Sequence, residues 1–283
     1  MVKKILTILI ITSIQKCWTC IPKTILNEEV RLSTVFENEE ERPSTTATVV
    51  ISSNGGAAQH VGGALGQFDY DQDKGCYVQK TNISKICEFL QGENCLGPRP
   101  EYLEKLAVYL YSDEDDRWHV NNLTGEKAGW LYNPIPSKIL PSSGWMYSDG
   151  KSWQSDVTLS VTPGPLILPS QFTVTASGDL AEMMWFACLG DFNKTDMWWR
   201  GRPMYFNFND NKDCDLLLHH GPGDYGWVIG PMPGIFAILR GSRAHHSPTD
   251  ECSWKYIDES NKNNPEWKPA LVNVTGSDEL ELI

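Results

Sequence analysis

Trp198-Trp199-Arg200-Gly201-Arg202 is the densest patch of binding chemistry in the chain. Indole faces stack on the C–H face of a sugar ring. Guanidinium groups stack on aromatic rings or fork onto carboxylates. Trp198, Trp199, Arg200 and Arg202 are therefore the candidate ligand-binding residues, and alternation along a strand would turn one of the two indoles outward. A competing reading makes Arg202 a brace of the fold, because Arg202-Pro203-Met204-Tyr205 has a counterpart in Arg99-Pro100-Glu101-Tyr102.

Other clusters carry weaker chemistry. His219-His220 and His245-His246 have metal-ligand types beside Asp224 and Asp250, but adjacent strand residues face apart, so each pair offers at most one ligand to a shared ion. Asp69-Tyr-Asp-Gln-Asp73-Lys-Gly75 alternates oxygens like a calcium loop, yet its Gly falls one place late and Lys80 stands at the twelfth position, which excludes an EF-hand. Asn207 to Asp213 has the same character. No metal ion and no cofactor are expected. Gly-x-Ser-x-Gly, His-Glu-x-x-His and a Gly-rich phosphate loop are absent, which favours binding over catalysis.

The chain is a tandem duplication. Trp118 and Trp145 recur as Trp227 and Trp254, both 109 residues on. Trp145-Met-Tyr147 reads against Trp254-Lys-Tyr256, Trp153 against Trp267, and Val157–Val161 against Ala270–Val274. Upstream, Val50, Ser53, Leu65-Gly66 and Phe68 read against Val174, Ser177, Leu189-Gly190 and Phe192. The shifted offset requires an insertion in copy one between Phe68 and Arg99, placed in a surface loop. Repeated Trp residues in strand-like surroundings are expected in the core. Trp198 and Trp199 have no such counterparts, which is what singles them out.

The ends indicate where the protein works. Lys3-Lys4 followed by the apolar run Ile5–Ile14 reads as a secretory signal peptide over residues 1–20, too short for the roughly 20 apolar residues that span a bilayer. Cys17-Trp-Thr-Cys20 falls in its tail, and no strand–helix–strand pattern follows to make it a redox site. Residues 21–48 form an acidic, Ser/Thr/Pro-containing leader, 49–163 copy one, 172–275 copy two and 276–283 an acidic tail. Sequons begin at Asn82, Asn122, Asn193 and Asn273. Cys76, Cys87 and Cys95 in copy one and Cys188, Cys214 and Cys252 in copy two are disulfide candidates, with the pairing open.

Composition excludes several partners. The formal charge is −12, and loss of residues 1–20 removes Lys3, Lys4 and Lys16 but no acid, taking it to −15. Bulk electrostatics will not hold such a chain to nucleic acid, and no later segment is apolar enough to span a membrane. Short alternating runs such as Phe172–Thr175 and Trp227–Ile229, parted by turn clusters, give an all-β class, with only Pro100–Tyr111 weakly helical in period. Each copy is expected to hold six or seven strands in a small β-sandwich or barrel-like module.

The matched order Gly-x-Phe, Arg-Pro-x-Tyr, Trp-x-Val, Trp-x-Tyr and a closing Trp with an alternating strand resembles a Trp- and Gly-rich tandem extracellular repeat of invertebrate secreted proteins and receptor ectodomains. That resemblance implies an extracellular β-module and no particular chemistry. The combined expectation is a secreted, glycosylated, non-catalytic binding protein recognising a glycan or an extracellular protein. The rivals are a secreted hydrolase with a site between the copies and a structural component of the extracellular matrix.

Overall fold

Short runs rich in β-branched and aromatic residues pair well on a pleated surface, and turn formers between them close the hairpins. The computed structural model describes residues 46–82, 107–122, 129–178, 180, 186–207, 215–221, 226–231, 237–241, 247–249, 253–258 and 266–277. Copy one supplies β1 (Thr48–Ser52), β2 (Gly66–Asp71), β3 (Cys76–Gln79), β4 (Tyr109–Ser112), β5 (Trp118–Asn121), β6 (Leu131–Tyr132), β7 (Met146–Ser148), β8 (Trp153–Ser155) and β9 (Ser160–Pro163). Copy two supplies β10 (Gln171–Ala176), β11 (Asp191–Trp199), β12 (Arg202–Asn207), β13 (Leu216–His220), β14 (Trp227–Gly230), β15 (Leu239–Arg240), β16 (Lys255–Asp258), β17 (Glu266–Pro269) and β18 (Val272–Ser277). Each set forms a curled, antiparallel, nine-stranded sheet in which the last strand returns beside the first, in the orders β8-β7-β6-β5-β4-β3-β2-β1-β9 and β17-β16-β15-β14-β13-β12-β11-β10-β18. The modules are half-barrels, and both lie in one compact unit, Thr45–Ile283.

The all-β, two-copy expectation holds, with nine strands per copy in place of six or seven. Two-residue strands such as β6 and β15 are too short to show alternation in a sequence. Each sheet buries one face against its own core. Leu110, Val120, Leu131 and Trp145 pack in the first, while Leu218, Ile229, Leu239 and Trp254 pack at the matching places in the second. Burial of a large apolar side chain contributes roughly 1.5–3 kcal/mol. Of the repeated Trp residues, Trp145, Trp227 and Trp254 are buried, and Trp118 is half-buried against the first core with Nε1 donating to Ser137 O at 2.8 Å.

Register corrects parts of the repeat alignment. Ile51 opposes Val161 and Val174 opposes Val274, so Ile51 rather than Val50 is the counterpart of Val174. Val50 packs instead into the second module's core. The Arg-Pro-x-Tyr match is accidental, because the place of β12 in sheet order is taken in copy one by β3, well before Arg99. Val157 is fully exposed in a turn, and the strand begins only at Ser160. Tyr109–Tyr111 lies in strand β4, not in a helix. Asp69 and Asp71 serve the β2–β3 hairpin: Asp69 accepts from Thr48 Oγ1 and Gln67 Nε2, and Asp71 accepts from the Asp73 and Lys74 amides and pairs with Lys74 at 2.9 Å. Cys76 is a buried free thiol, pushed up to about 11 by burial first and then by Asp71, which removes it from the disulfide candidates. Residues 1–45, Cys87, Cys95, Arg99, Trp185, Cys214, His245, His246 and Cys252 lie outside the described residues.

One buried carboxylate closes the first module. Asp156 accepts from Ser53 Oγ (2.7 Å), the Ala57 amide (2.9 Å), the Thr158 amide (2.9 Å) and Thr158 Oγ1 (2.7 Å). It thereby ties the turn before β9 to the short helix α1 (Gly56–His60). A Cβ on Gly55 would lie 2.5 Å from Asp156 Oδ1, so only glycine lets the chain pass so close. Burial pushes the Asp156 carboxyl upward, but the bonds from Thr158, Ala57 and Ser53 outweigh it and hold the group below its usual 3.8. Asp156→Asn is expected to cost about 1–3 kcal/mol at neutral pH, read from thermal or denaturant melts. Because the native value is depressed, the gap between wild type and variant should be full above the ordinary aspartate range. It should close as pH falls through the native value.

Candidate functional site

The four residues singled out for binding sit together at one hairpin tip. β11 runs nine residues against six in its counterpart β2, and a register break between Lys194 and Trp198 aims the extension. Trp199 pairs with Arg202, and the two residues between them have φ of +51° at Arg200 and +70° at Gly201, the signature of a type I′ turn. This tip enters the first module. The Gln67 amide donates to Gly201 O (2.8 Å), the Gly201 amide to Lys80 O (2.8 Å) and the Asn82 amide to Trp198 O (2.9 Å). The Arg200 amide donates to Thr81 Oγ1 (3.3 Å) and Arg202 Nη1 to Leu65 O (3.3 Å). Lys80 Nζ lies 4.1 Å from the centroid of the Trp198 ring, a cation–π contact across the junction. Trp198 packs on the second core and Trp199 on a smaller cluster of Met197, Met204, Phe206 and Leu217. Neither indole is an open platform: both are half-buried, and Arg202 is 1% exposed. The β11 extension, unmatched in copy one, is what the join of the two modules requires.

A second constellation lies on the face of the first sheet turned away from its core. Leu110, Val120 and Leu131 point into the core, so their neighbours Tyr111, His119 and Tyr132 point out. Tyr111 stacks on His119 (5.7 Å between centroids), His119 meets Tyr132 (5.3 Å) and Tyr132 meets Trp153 (5.3 Å). The row crosses β4, β5, β6 and β8. Tyr111 and His119 are buried, while Tyr132 and Trp153 are half-exposed. His119 Nε2 lies 2.9 Å from Asp113 Oδ2, and His119 Nδ1 has no partner among the described residues. Burial raises the Asp113 carboxyl, but the Arg117 amide, the His119 ring and the Asp115 amide hold it below the usual range. An anionic Asp113 is an acceptor only, so the hydrogen bond runs from His119 Nε2–H to Asp113 Oδ2. The row was not foreseen. Its signal was the alternation Tyr109-Leu-Tyr111 and Trp118-His-Val120, which places one ring per strand on each face.

Copy two keeps the outer end of the row. Arg240 opposes Val228 as Tyr132 opposes His119, and Trp267 stands where Trp153 stands. The Arg240 guanidinium lies 4.3 Å from the centroid of the Trp267 ring. Both sheets thus carry a half-exposed Trp beside a flat partner on the face opposite the core. Comparison with protein-family models, with curated proteins and with solved structures finds no match.

The sequons differ in setting. Asn273 is exposed on the edge strand β18, whereas Asn82, Asn122 and Asn193 are half-buried, and Asn193 Oδ1 accepts from Gln171 Nε2 at 3.3 Å. His219 and His220 are buried in β13, with His219 Nδ1 3.0 Å from His220 O. Among the described residues no trio of His, Cys, Asp or Glu gathers as metal ligands.

The junction generates a test of its own. A Cβ on Gly201 would meet Gln67 N at 2.8 Å and Gln67 O at 3.0 Å, and the residue is already at positive φ. Gly201→Ala is expected to cost about 2–4 kcal/mol, from left-handed strain plus the loss of junction hydrogen bonds. Gly150→Ala is the control, since Gly150 has φ +85° and nothing within 4 Å of an added Cβ. It should cost only the strain, about 1–2 kcal/mol. Equal melting temperatures for the two variants would remove the junction's claim to hold the modules.

Proposed function

We propose that the protein is a secreted, non-catalytic binding protein that recognises a glycan through its two outward aromatic positions. The observation that carries this reading is the recurrence of a half-exposed indole beside a flat partner at matching places, Trp153 with Tyr132 and Trp267 with Arg240. Tyr132 is tilted 52° to Trp153 and the Arg240 guanidinium lies over the Trp267 ring, so each partner steadies its indole from one side, and the half-exposed indole itself is the plane on which a sugar's C–H face can stack. Duplication supplies two such planes in one compact unit, which raises avidity without new contacts. Trp198 and Trp199 act in this reading as the join that spaces the planes.

Secretion is supported by the basic head, the apolar run Ile5–Ile14 and the four sequons. Asn273 is the acceptor with the best access, and a sugar there would shield the free edge of β18 from pairing with another chain. A bridge from buried Cys188 to Cys214 or Cys252 belongs to the same proposal. Among the described residues no helix is long and apolar enough to cross a membrane.

The test is a glycan array probed with the full-length protein from a secretory host, beside Trp153→Ala, Trp267→Ala and their double variant. Selective binding should fall about tenfold in each single variant, the low end of the roughly 1–3 kcal/mol that a nucleic-acid base stacked on an aromatic ring is worth by alanine substitution. It should vanish in the double variant. Folded variants that bind as well as wild type would eliminate these planes. A wild-type protein that binds no glycan would overturn the carbohydrate reading and leave a protein ligand.

A further inference from the structure

The hairpin tip that joins the modules carries positive charge and hydrogen-bond donors with nothing to receive them. Arg202 is 1% exposed, and its guanidinium makes one hydrogen bond, Nη1 to Leu65 O at 3.3 Å. Its Nε has no acceptor, and no carboxylate pairs with it among the described residues. Trp199, the cross-strand partner of Arg202, has its Nε1–H buried and equally without an acceptor. His220 on the adjoining strand β13 lies on the other face of the sheet, its ring 6.2 Å from that of Trp227, and stands outside this group. Arg200 lies beside Trp199, its guanidinium 5.8 Å from that ring and packed so closely on Gly63 that a Cβ there would meet Nη1 at 2.8 Å.

Burial draws Arg202 down to about 10, so it remains cationic at physiological pH. Buried donors are satisfied in folded proteins, and an unpaired buried charge is among the costliest features a fold can carry. Its presence in a chain of net charge −12, rich in carboxylates that could have paired with it, is the anomaly to explain. Water would supply acceptors but leave the charge uncompensated. A compact anion satisfies both demands, and the burial of Arg202, 1% exposed, admits nothing attached to a polymer.

We propose that the junction between the two sheets is an anion site, in which a chloride, sulfate or phosphate ion accepts from Trp199 Nε1 and Arg202 Nε and neutralises the buried guanidinium. The ion is a structural ligand that locks the β11–β12 tip against Gly66, Gln67 and Lys80, and it is independent of any glycan bound on the outer faces. The stability of the two-module unit then depends on the anion content of its surroundings.

The experiment is a set of thermal melts of the full-length protein exchanged into sodium gluconate, a bulky organic anion that serves as the reference state. Chloride, sulfate and phosphate are then titrated in separately at constant ionic strength. At least one ion should raise the melting temperature along a saturating curve, by about 5–10 °C at a hundredfold excess over its dissociation constant. Arg202→Met keeps the side chain's length without its charge, and its curve should be flat over the same range. If that variant does not fold, Trp199→Phe removes one donor and keeps the packing, and about a tenfold weaker apparent affinity is expected, the worth of a charge-assisted hydrogen bond. Equilibrium dialysis with the radiolabelled ion should find one ion per wild-type chain. No bound ion of any of the three, or a melting temperature that is unchanged or climbs without saturation and equally in the variant, would overturn the proposal, since excluded salts stabilise all folded chains alike.

Discussion

Two backbones touch where Gly66 meets Gly201, and the rest of the arrangement follows from that contact. A Cβ on Gly66 would lie 2.6 Å from Gly201 O, and one on Gly201 would lie 2.8 Å from Gln67 N. With both side chains absent, main-chain hydrogen bonds join strands of different sheets, as though the hairpin tip of the second module were a further partner for the first. Gln67 serves this node three more times: its carbonyl accepts from Lys80, its Oε1 accepts from Leu166 in the connecting segment, and its Nε2 holds Asp69. Gln79 Nε2 reinforces the same spot by donating to Gly63 O and Leu65 O. Buried polar networks of this kind, when fully bonded, select one arrangement of the parts over all others.

The hydrophobic layers obey that node. Val50 belongs by sequence to the first module and by packing to the second, and Leu166 and Leu168 of the connection fill the second core as well. Tyr205 Oη, donating to Pro169 O at 2.9 Å, fixes the connection from the other side. The two half-barrels therefore share apolar material across their boundary. Shared cores make two modules melt as one, whereas modules linked only by a tether would unfold separately.

The duplication was legible because its anchors are large. Trp145 and Trp254, or Tyr147 and Tyr256, occupy equal places in the two sheets, and no smaller residue would fill them. The β-class was legible in the alternation around Trp227 and Phe172. Register was not. Val50 and Ile51 are both apolar, and nothing local says which of them faces which core. The junction was invisible for a related reason: it depends on pairs such as Gln67 with Gly201, more than a hundred residues apart, for which a single sequence has no period. Trp198 and Trp199 did stand out, and rightly, since a residue without a counterpart in the other copy signals a task that only one copy performs. Composition could name stacking and charge as the chemistry there, but not whether a ligand or the neighbouring module would be the one stacked upon. The outward row of Tyr111, His119, Tyr132 and Trp153 is not visible in the sequence because its four rings come from four strands, and only register brings them onto one face.

In both sheets the final strand returns to lie beside the first, β9 against β1 and β18 against β10. Each module thus begins and ends on neighbouring strands, so entry and exit of the chain occupy one side of a finished structure. A unit wired this way can be copied head to tail with a connector as short as the stretch from Pro163 to Gln171 and without rethreading any strand. Genes encoding longer arrays, or circular permutants opened at a distant loop, would meet no topological obstacle. The wiring is that of an extensible unit, and the hairpin extension of the second copy, with the shared apolar layer, makes the two modules a single body.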